Sequence, residues 1–167
     1  QSRTQILGLW TQLPEVEEIA LYGRRRAETE EVAEDCRKQW GVPLRTVATI
    51  DEAFTDADVA ITVTTAQQPV MLARQIKPGA LTIQLAGHEC DFSVIKQCTK
   101  IITDDWETVK HRGIMTPAIM YQQGLLQDQD IYGNIGDLIL GMKPGRESEE
   151  RIHYCHMGMG LDDVALA

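Results

Sequence analysis

Three consecutive arginines, Arg24, Arg25 and Arg26, are the strongest electrostatic feature of this sequence. They follow Gly23, which ends a short apolar run, in a chain with a formal net charge of −9. Guanidinium groups bind phosphate through paired hydrogen bonds, and a glycine in place of Asp or Glu removes a carboxylate that would repel phosphate. In a dinucleotide-binding fold this pattern favours a 2′-phosphate, and therefore NADP over NAD. The alternative is a solvated, basic helix N-terminus.

Further candidate residues follow other predicted strands. His88 has the residue type for acid or base work near neutral pH, although a structural role is the alternative. Thr64 and Thr65 end another strand and could instead cap the next segment. Gly87 and Gly158 would allow a close approach of the backbone to a ligand, or could be turn glycines.

The cysteines contain no C-x-x-C pair, which is the spacing typical of zinc ribbons and fingers. We therefore predict reduced thiols and no metal site. The residues from which a zinc site could be imagined are His88, Cys90, His153, Cys155 and His156.

Apolar periodicity predicts an alternation of strands and helices along the chain. Strands are predicted at 18–22, 44–48, 57–65, 80–86, 100–103 and 151–154. Helices are predicted at 1–13, 26–40, 51–54, 91–97, 105–111 and 117–125, with Asp51 as an N-cap and a last helix after the MGMG segment. The alternation predicts an α/β fold, a doubly wound Rossmann-type parallel sheet with helices on both faces. Ligands of such sheets bind at the carboxyl ends of the strands, where the candidate residues above lie.

Composition narrows the class of protein. The chain has 167 residues, 43% hydrophobic and 25% charged, which is ordinary for a folded domain. Its acidic balance argues against nucleic-acid binding and against a basic membrane patch. Apolar runs fall short of the roughly 20 residues that span a bilayer, and no signal peptide is visible. We therefore expect a cytoplasmic protein.

Several segments, taken in order, resemble the ornithine cyclodeaminase/mu-crystallin family. QSRTQ at the start resembles the second half of the family motif G-x-G-x-Q-[AS]-R. ADVAITVTTAQQPVM resembles a strand that ends in a Thr-containing turn, and KPGALTIQLAGHECDFSVI resembles the K-P-G turn, strand and Gly-rich turn after it. GMKPGRESEERIHYCHMGMGLDDVALA resembles the closing turn, strand, S-x-G turn and helix, with Asp163 in that helix.

The resemblance implies an NAD(P)-binding Rossmann-type domain over residues 1–167, lacking its first strand and glycine-rich loop. It also implies a substrate and dimerisation domain outside this sequence, a homodimer as the intact protein and an isolated domain without activity. NADP is the preferred cofactor and NAD a possible one. The cofactor contacts expected are Gln1, Ser2, Arg3, Arg24, Arg25, Thr64, Thr65, Ala86, Gly87, Met157 and Gly158.

Departures from the family pattern bear on the reaction. His88 stands where ornithine cyclodeaminases carry an Asp, Phe92 stands near the place of a Lys, and His156 replaces the Ser of the S-x-G turn. We therefore expect hydride transfer at the Cα–N bond of a small amino or imino acid, with His88 as proton donor or acceptor. The alternatives are an ornithine cyclodeaminase, which yields proline and ammonia, and a non-catalytic ligand-binding protein of the mu-crystallin type.

Overall fold

All strand pairs of the computed structural model, which describes residues 2–13 and 15–159, are parallel. The chain forms two units, residues 1–55 and 56–167. The first contains a two-stranded sheet and the second a five-stranded sheet. Parallel neighbours require crossover connections, and helices supply most of them. The predicted α/β class, with parallel sheet flanked by helices, is confirmed.

The first unit alternates helices and strands. Its elements are α1 (Ser2–Gln12), β1 (Ile19–Leu21), α2 (Arg26–Trp40), β2 (Leu44–Thr46) and α3 (Ile50–Phe54). β1 and β2 pair in parallel, with Ile19 opposite Leu44 and Leu21 opposite Thr46. Helix α2 begins and ends where the sequence predicts. It stops at Gly41, whose φ of 67° favours glycine and whose N–H bonds to the Arg37 carbonyl.

A small apolar core holds the first unit together. Its buried members are Ile6, Ala33, Cys36, Val42 and Leu44, with Trp10, Ile19, Leu21, Val32 and Trp40 packed against them. Those on α1 and α2 recur at helical spacing, which favours these two helices, and the others lie on or beside β1 and β2.

The cap of α3 differs from the prediction. Thr49, not Asp51, is the N-cap, and its hydroxyl accepts the Glu52 N–H at 3.1 Å. Asp51 lies within the first turn, where its carboxylate interacts favourably with the positive end of the helix dipole. A threonine directly before the helix satisfies the same orphan N–H groups as an aspartate would.

The second unit contains five strands and four α-helices in its described part. Its elements are β3 (Val59–Thr62), β4 (Leu81–Gln84), α4 (Phe92–Lys96), β5 (Lys100–Thr103), α5 (Trp106–Arg112), α6 (Thr116–Gln122), β6 (Gly133–Asn134), α7 (Ile135–Ile139) and β7 (Ile152–Cys155). Two short 3₁₀ helices, Ala73–Gln75 and Asp128–Asp130, lie between them. The 3₁₀ helices and the two-residue strand β6 were not predicted, because such short elements have no measurable periodicity.

The strand order of the larger sheet is β3-β4-β7-β5-β6. Cys155 at the end of β7 is level with Gln84 on one side and Thr103 on the other. The carboxyl ends of β4, β7 and β5 therefore meet along one edge of this sheet. One face is buried by a core of Ile95, Ile101, Trp106, Val109, Met115, Ala118, Met120, Leu126 and Cys155.

Two predictions fall on residues that the structure does not describe. Gln1 is one, and the helix after the MGMG segment, with Asp163, is the other. Helix α6 ends at Gln122, earlier than predicted, because Gly124 turns the chain with a φ of 71°. In residues 2–13 and 15–159 no helix is long and apolar enough to cross a bilayer.

Candidate functional site

A pocket lies at the carboxyl ends of β1 and β2 in the first unit. It is open, measures about 110 Å³, and is walled by the segments after both strands and by the start of α2. The lining residues, none of which carries a carboxylate, are Tyr22, Gly23, Arg24, Arg26, Thr29, Thr46, Val47 and Ala48. This edge is where parallel α/β sheets bind ligands.

Gly23 is required by close packing at the strand end. A Cβ at this position would lie 2.2 Å from the Thr29 hydroxyl oxygen. That hydroxyl donates to the Arg25 carbonyl at 2.9 Å within the first turn of α2. A side chain at residue 23 would therefore have to displace Thr29, and the place where dinucleotide folds usually carry an acid remains without one.

The three arginines have different surroundings. Arg24 is exposed at the pocket and has no ion-pair partner within the described part of the chain. Arg26 lines the same pocket. Arg25 pairs with Glu28 at 2.8 Å, with both side chains more than half exposed, and does not line the pocket. Two guanidinium groups, those of Arg24 and Arg26, are therefore placed to bind an anion at this pocket.

The predicted contacts at the start of α1 are only partly described. Ser2 is the first residue of the helix, and Gln1 lies outside the described residues. The Arg3 guanidinium pairs with the Asp35 carboxylate of α2 at 2.5 Å. Arg3 therefore points toward α2 in this structure.

In the second unit, Glu89 joins two of the predicted loops. Its side chain is fully buried, and Oε1 accepts the Thr64 N–H at 2.5 Å while Oε2 accepts the Ala86 N–H at 2.9 Å. Thr64 follows β3 and Ala86 follows β4, so one carboxylate fixes both strand ends. Buried carboxylates are stable only when hydrogen bonds replace water, and backbone N–H groups do that here.

Gln84 stabilises the turn that follows β4 through side-chain hydrogen bonds. It is fully buried, and its Nε2 donates to the carbonyls of Ala86 (3.0 Å) and Gly87. Gly87 itself has space, since a Cβ would make only an ordinary contact, 3.6 Å from the Ile114 carbonyl. Close backbone packing therefore does not explain why residue 87 is a glycine.

The two threonines after β3 have local roles. The Thr64 hydroxyl accepts the Ala66 N–H at 3.1 Å, which is the capping role considered as an alternative. Thr65 is exposed, and its carbonyl accepts from the Gln67 side chain at 3.4 Å. The Thr64 backbone is thus fixed, whereas the Thr65 side chain faces solvent.

His88 has no orienting hydrogen bond in the structure. Its Nε2 is buried and has no partner among the described residues. The ring lies 5.4 Å from that of Phe92, tilted by 37°. A general acid or base normally has such a partner to fix its ring, so the role of His88 stays a prediction.

Asp104, after β5, fixes the loop after β7. Its side chain is 1% exposed. Oδ2 accepts the N–H groups of Met157 (2.9 Å) and Gly158 (2.7 Å), and Oδ1 accepts that of Asp105 at 3.0 Å. Gly158 has a φ of 90°, and within the described part of the chain no atom lies where its side chain would be. The predicted residues Met157 and Gly158 are therefore brought to the strand edge by a buried carboxylate.

The sequence predicts no role for Gln84, Glu89 and Asp104, although Glu89 and Asp104 stand among the residues that follow predicted strands. Gln84 lies within the predicted strand 80–86 and ends β4 in the structure. A polar side chain there has unpaired loop N–H and C=O groups within reach. Periodicity alone does not show which loop a given carboxylate binds.

The candidate zinc ligands are not grouped. Within residues 2–13 and 15–159, no three His, Cys, Asp or Glu side chains are arranged to hold a metal ion. His153 is fully buried and bonds Thr82 through Nδ1 at 2.9 Å, and burial lowers the pKa of its imidazole to about 3. Burial also raises the pKa of the Cys90 and Cys155 thiols, so these groups stay protonated.

Comparisons with known proteins identify the family. The family model described as ornithine cyclodeaminase/mu-crystallin family matches residues 1–167. An alanine dehydrogenase of Archaeoglobus fulgidus is 32% identical over 122 residues, covering 70% of this chain and 37% of that protein. A Δ1-pyrroline-2-carboxylate reductase of Bacillus cereus is 26% identical over 161 residues, covering 92% and 48%. The chain thus spans less than half the length of these two relatives.

Comparison with a solved structure of a family member shows the same fold. An archaeal alanine dehydrogenase dimer with bound NAD superposes with a TM-score of 0.86 at 25% identity. The match covers 99% of this chain and 51% of that one. The arrangement of strands and helices described above is therefore that of an NAD-binding family domain.

Proposed function

Because the chain belongs to the ornithine cyclodeaminase/mu-crystallin family, we propose that it binds a nicotinamide dinucleotide and is part of an oxidoreductase acting at the Cα–N bond of an amino or imino acid. The names of the two relatives, an alanine dehydrogenase and a pyrroline-carboxylate reductase, support that reaction class. The bound nicotinamide would supply or accept the hydride. This chain's residues would hold the cofactor, exclude water and handle the proton.

The chemistry of both strand edges fits a dinucleotide. In the first unit, the pocket after β1 and β2 is lined by two arginines and no acid. In the second unit, no atom of residues 2–13 and 15–159 fills the space beside Gly158, whose backbone is held by Asp104. Cationic side chains favour an anionic ligand, and unfilled space beside a glycine allows a flat ring to approach the backbone.

The observation that carries the cofactor proposal is the Arg24 guanidinium at the acid-free pocket. We assign NADP as the preferred cofactor, with NAD as a weaker ligand, because only NADP offers a 2′-phosphate to that guanidinium. Arg25, tied to Glu28, would contribute less. Ser2, at the start of α1, would lie near the pyrophosphate, and Gln1 and Arg3 stay predictions.

The loops of the second unit carry the other predicted cofactor contacts. Thr64, Thr65, Ala86, Gly87, Met157 and Gly158 stay the predicted contacts. Glu89 and Asp104 would act as positioning residues, because they fix the backbone of these loops. His88 stays the predicted proton donor or acceptor.

Titration with NADPH and NADH tests the cofactor proposal. We expect the wild-type chain to bind NADPH more tightly. Arg24→Ala should weaken NADPH by roughly 10- to 100-fold, the effect of losing a charged hydrogen bond, and change NADH by less than about threefold. Arg112→Ala, an exposed arginine of α5, is the matched control. Equal affinities of the wild type for both cofactors would refute the NADP assignment.

Turnover by the full-length gene product tests the reaction class. We expect reduction of a cyclic imino acid such as Δ1-pyrroline-2-carboxylate with oxidation of NADPH. Release of ammonia from ornithine without net cofactor oxidation would indicate a cyclodeaminase instead. We also propose a homodimer, as in the archaeal alanine dehydrogenase, and sedimentation of the full-length protein tests it.

A further inference from the structure

His156 lies directly after β7, in the middle of the carboxyl edge of the five-stranded sheet. Its backbone N–H continues the ladder to the Gln84 carbonyl at 2.9 Å, so it is level with the end of β4. On the other side, Asp104 directly follows β5. This is the edge where the loops of the second unit converge, and where α/β sheets hold their ligands.

The His156 ring is held through one nitrogen. Nδ1 lies 3.1 Å from the Tyr154 hydroxyl and 3.6 Å from Asp104 Oδ2. Within the described part of the chain, Tyr154 and Asp104 are the titratable groups that face this ring. Tyr154 is therefore the hydrogen-bond partner of Nδ1, whereas the buried Asp104 carboxylate lies beyond hydrogen-bond distance and acts on a protonated ring through its charge.

Nδ1 is occupied by Tyr154, so Nε2 is the nitrogen that stays open to a ligand. In residues 2–13 and 15–159 no group hydrogen-bonds to it, and about a third of the side chain, 34%, is exposed. His88 differs, since its Nε2 is buried without a partner among the described residues. A ring held through one nitrogen, near a buried carboxylate and with its other nitrogen open, is suited to acid–base work.

We propose that His156, in place of His88, exchanges the proton with the substrate nitrogen in the reaction proposed above, on which this inference rests. In the reductive direction, the carbon of the C=N bond receives the hydride that the reduced cofactor supplies. The nitrogen takes the proton from Nε2 of the imidazolium. The product is the amine, and the ring is left neutral with its hydrogen on Nδ1. Oxidation of the amine runs through the same transfers in reverse.

Asp104 and Tyr154 act as positioning residues in this scheme. Tyr154 holds the ring through Nδ1, and Asp104 fixes the loop after β7 through Met157 and Gly158. The same buried carboxylate lies 3.6 Å from Nδ1, where its charge favours the protonated ring.

The first test compares His156→Gln with wild type in the full-length protein. We expect kcat for imine reduction to fall about 100-fold, the usual loss for a missing acid–base group. The fall of kcat with rising pH should disappear, while the NADPH dissociation constant changes less than about threefold. His111→Gln, on the exposed end of α5, is the matched control. In His156→Ala, added imidazole should restore part of the lost kcat.

A wild-type kcat and pH profile in His156→Gln would overturn the inference while leaving the proposed function intact. Absence of imine reduction by the wild type would overturn both.

The second test does not depend on turnover. Nitrogen-15 NMR of the histidine side chains distinguishes the two neutral tautomers, and the His156 signals are assigned by their loss in His156→Gln. We expect the Nδ1–H tautomer in wild type and a mixture in Asp104→Asn. A wild-type ring protonated on Nε2 alone would overturn the inference.

Discussion

The buried Glu89 carboxylate accepts the backbone N–H of Thr64 at 2.5 Å, across 25 positions of sequence. Its other oxygen accepts the Ala86 N–H, so the ends of β3 and β4 are fixed by one side chain. Most of the predicted contacts in the second unit depend on such bonds from buried carboxylates to loop backbone. The shape of this edge is therefore determined by polar groups in the interior.

Replacing Glu89 by Gln should loosen both loops. The amide keeps one acceptor oxygen and turns an NH₂ group toward a backbone N–H, which leaves a buried donor unpaired. We expect a loss of about 1–3 kcal/mol in the free energy of unfolding and faster amide exchange at Thr64 and Ala86. Urea unfolding and hydrogen exchange measure the two effects. Glu149→Gln serves as the control, because Glu149 is exposed and belongs to neither loop. Unchanged exchange at both amides would contradict the bridging role.

Adding a carboxylate at residue 23 should select against NADPH. Gly23→Asp and Gly23→Ala both crowd Thr29, so their difference isolates the charge. We expect Gly23→Asp to bind NADPH at least roughly tenfold more weakly than Gly23→Ala, about 1.4 kcal/mol, while NADH binding differs little. Calorimetric titration of the two variants measures this. The same NADPH affinity in both would argue against a 2′-phosphate at this pocket.

The buried His153 predicts that the free energy of unfolding decreases at acidic pH. Because burial lowers the pKa of its imidazole to about 3, the unfolded chain takes up a proton near pH 6.5 and the folded chain does not. Its contribution is complete above pH 6.5 and is lost as the pH falls toward 3. Between pH 7 and pH 5 we expect a loss of about 2 kcal/mol from this group.

His153→Leu should remove that acid sensitivity. Thr82, which also donates to the Ile152 carbonyl, keeps a partner in this variant. Urea unfolding at pH 7 and pH 5, with exchange at the buried Val109 amide as the local probe, gives the comparison. If wild type and variant lose equal stability on acidification, His153 is not the group responsible.

The positive φ of Gly158 can be tested against a second open glycine. Gly158 and Gly136 both have space for a methyl group, but only Gly158, at 90°, has a backbone that side chains disfavour. We expect Gly158→Ala to cost about 1 kcal/mol and to weaken NADPH binding, since it strains the N–H groups held by Asp104. Gly136→Ala, in α7, should be neutral or stabilising by about 0.5–1 kcal/mol. Thermal unfolding and cofactor titration measure both, and equal effects would contradict the role of φ.

Local patterns predicted the elements but not the bonds between loops. The bounds of α2 followed from helical spacing and from Gly41, both of which are local in sequence. The predicted N-cap of α3 was wrong by two residues, since Thr49 and Asp51 both offer an acceptor oxygen. Glu89 could not be assigned, because its partners depend on the pairing of β3 with β4, which periodicity does not encode. Likewise the sequence grouped the three arginines, and only the packing of α2 separates Arg24 from Arg25.

The closeness of Gly23 to Thr29 restricts how the pocket after β1 and β2 could have changed during evolution. A switch toward the ribose-binding acid of other dinucleotide folds needs a side chain at residue 23, where a Cβ would meet the Thr29 hydroxyl at 2.2 Å. A lineage that first replaced Thr29 by Ala would have the space, whereas one that first replaced Gly23 would pass through a crowded intermediate. The two substitutions are therefore epistatic, and we expect residues 23 and 29 to covary among homologues that differ in cofactor.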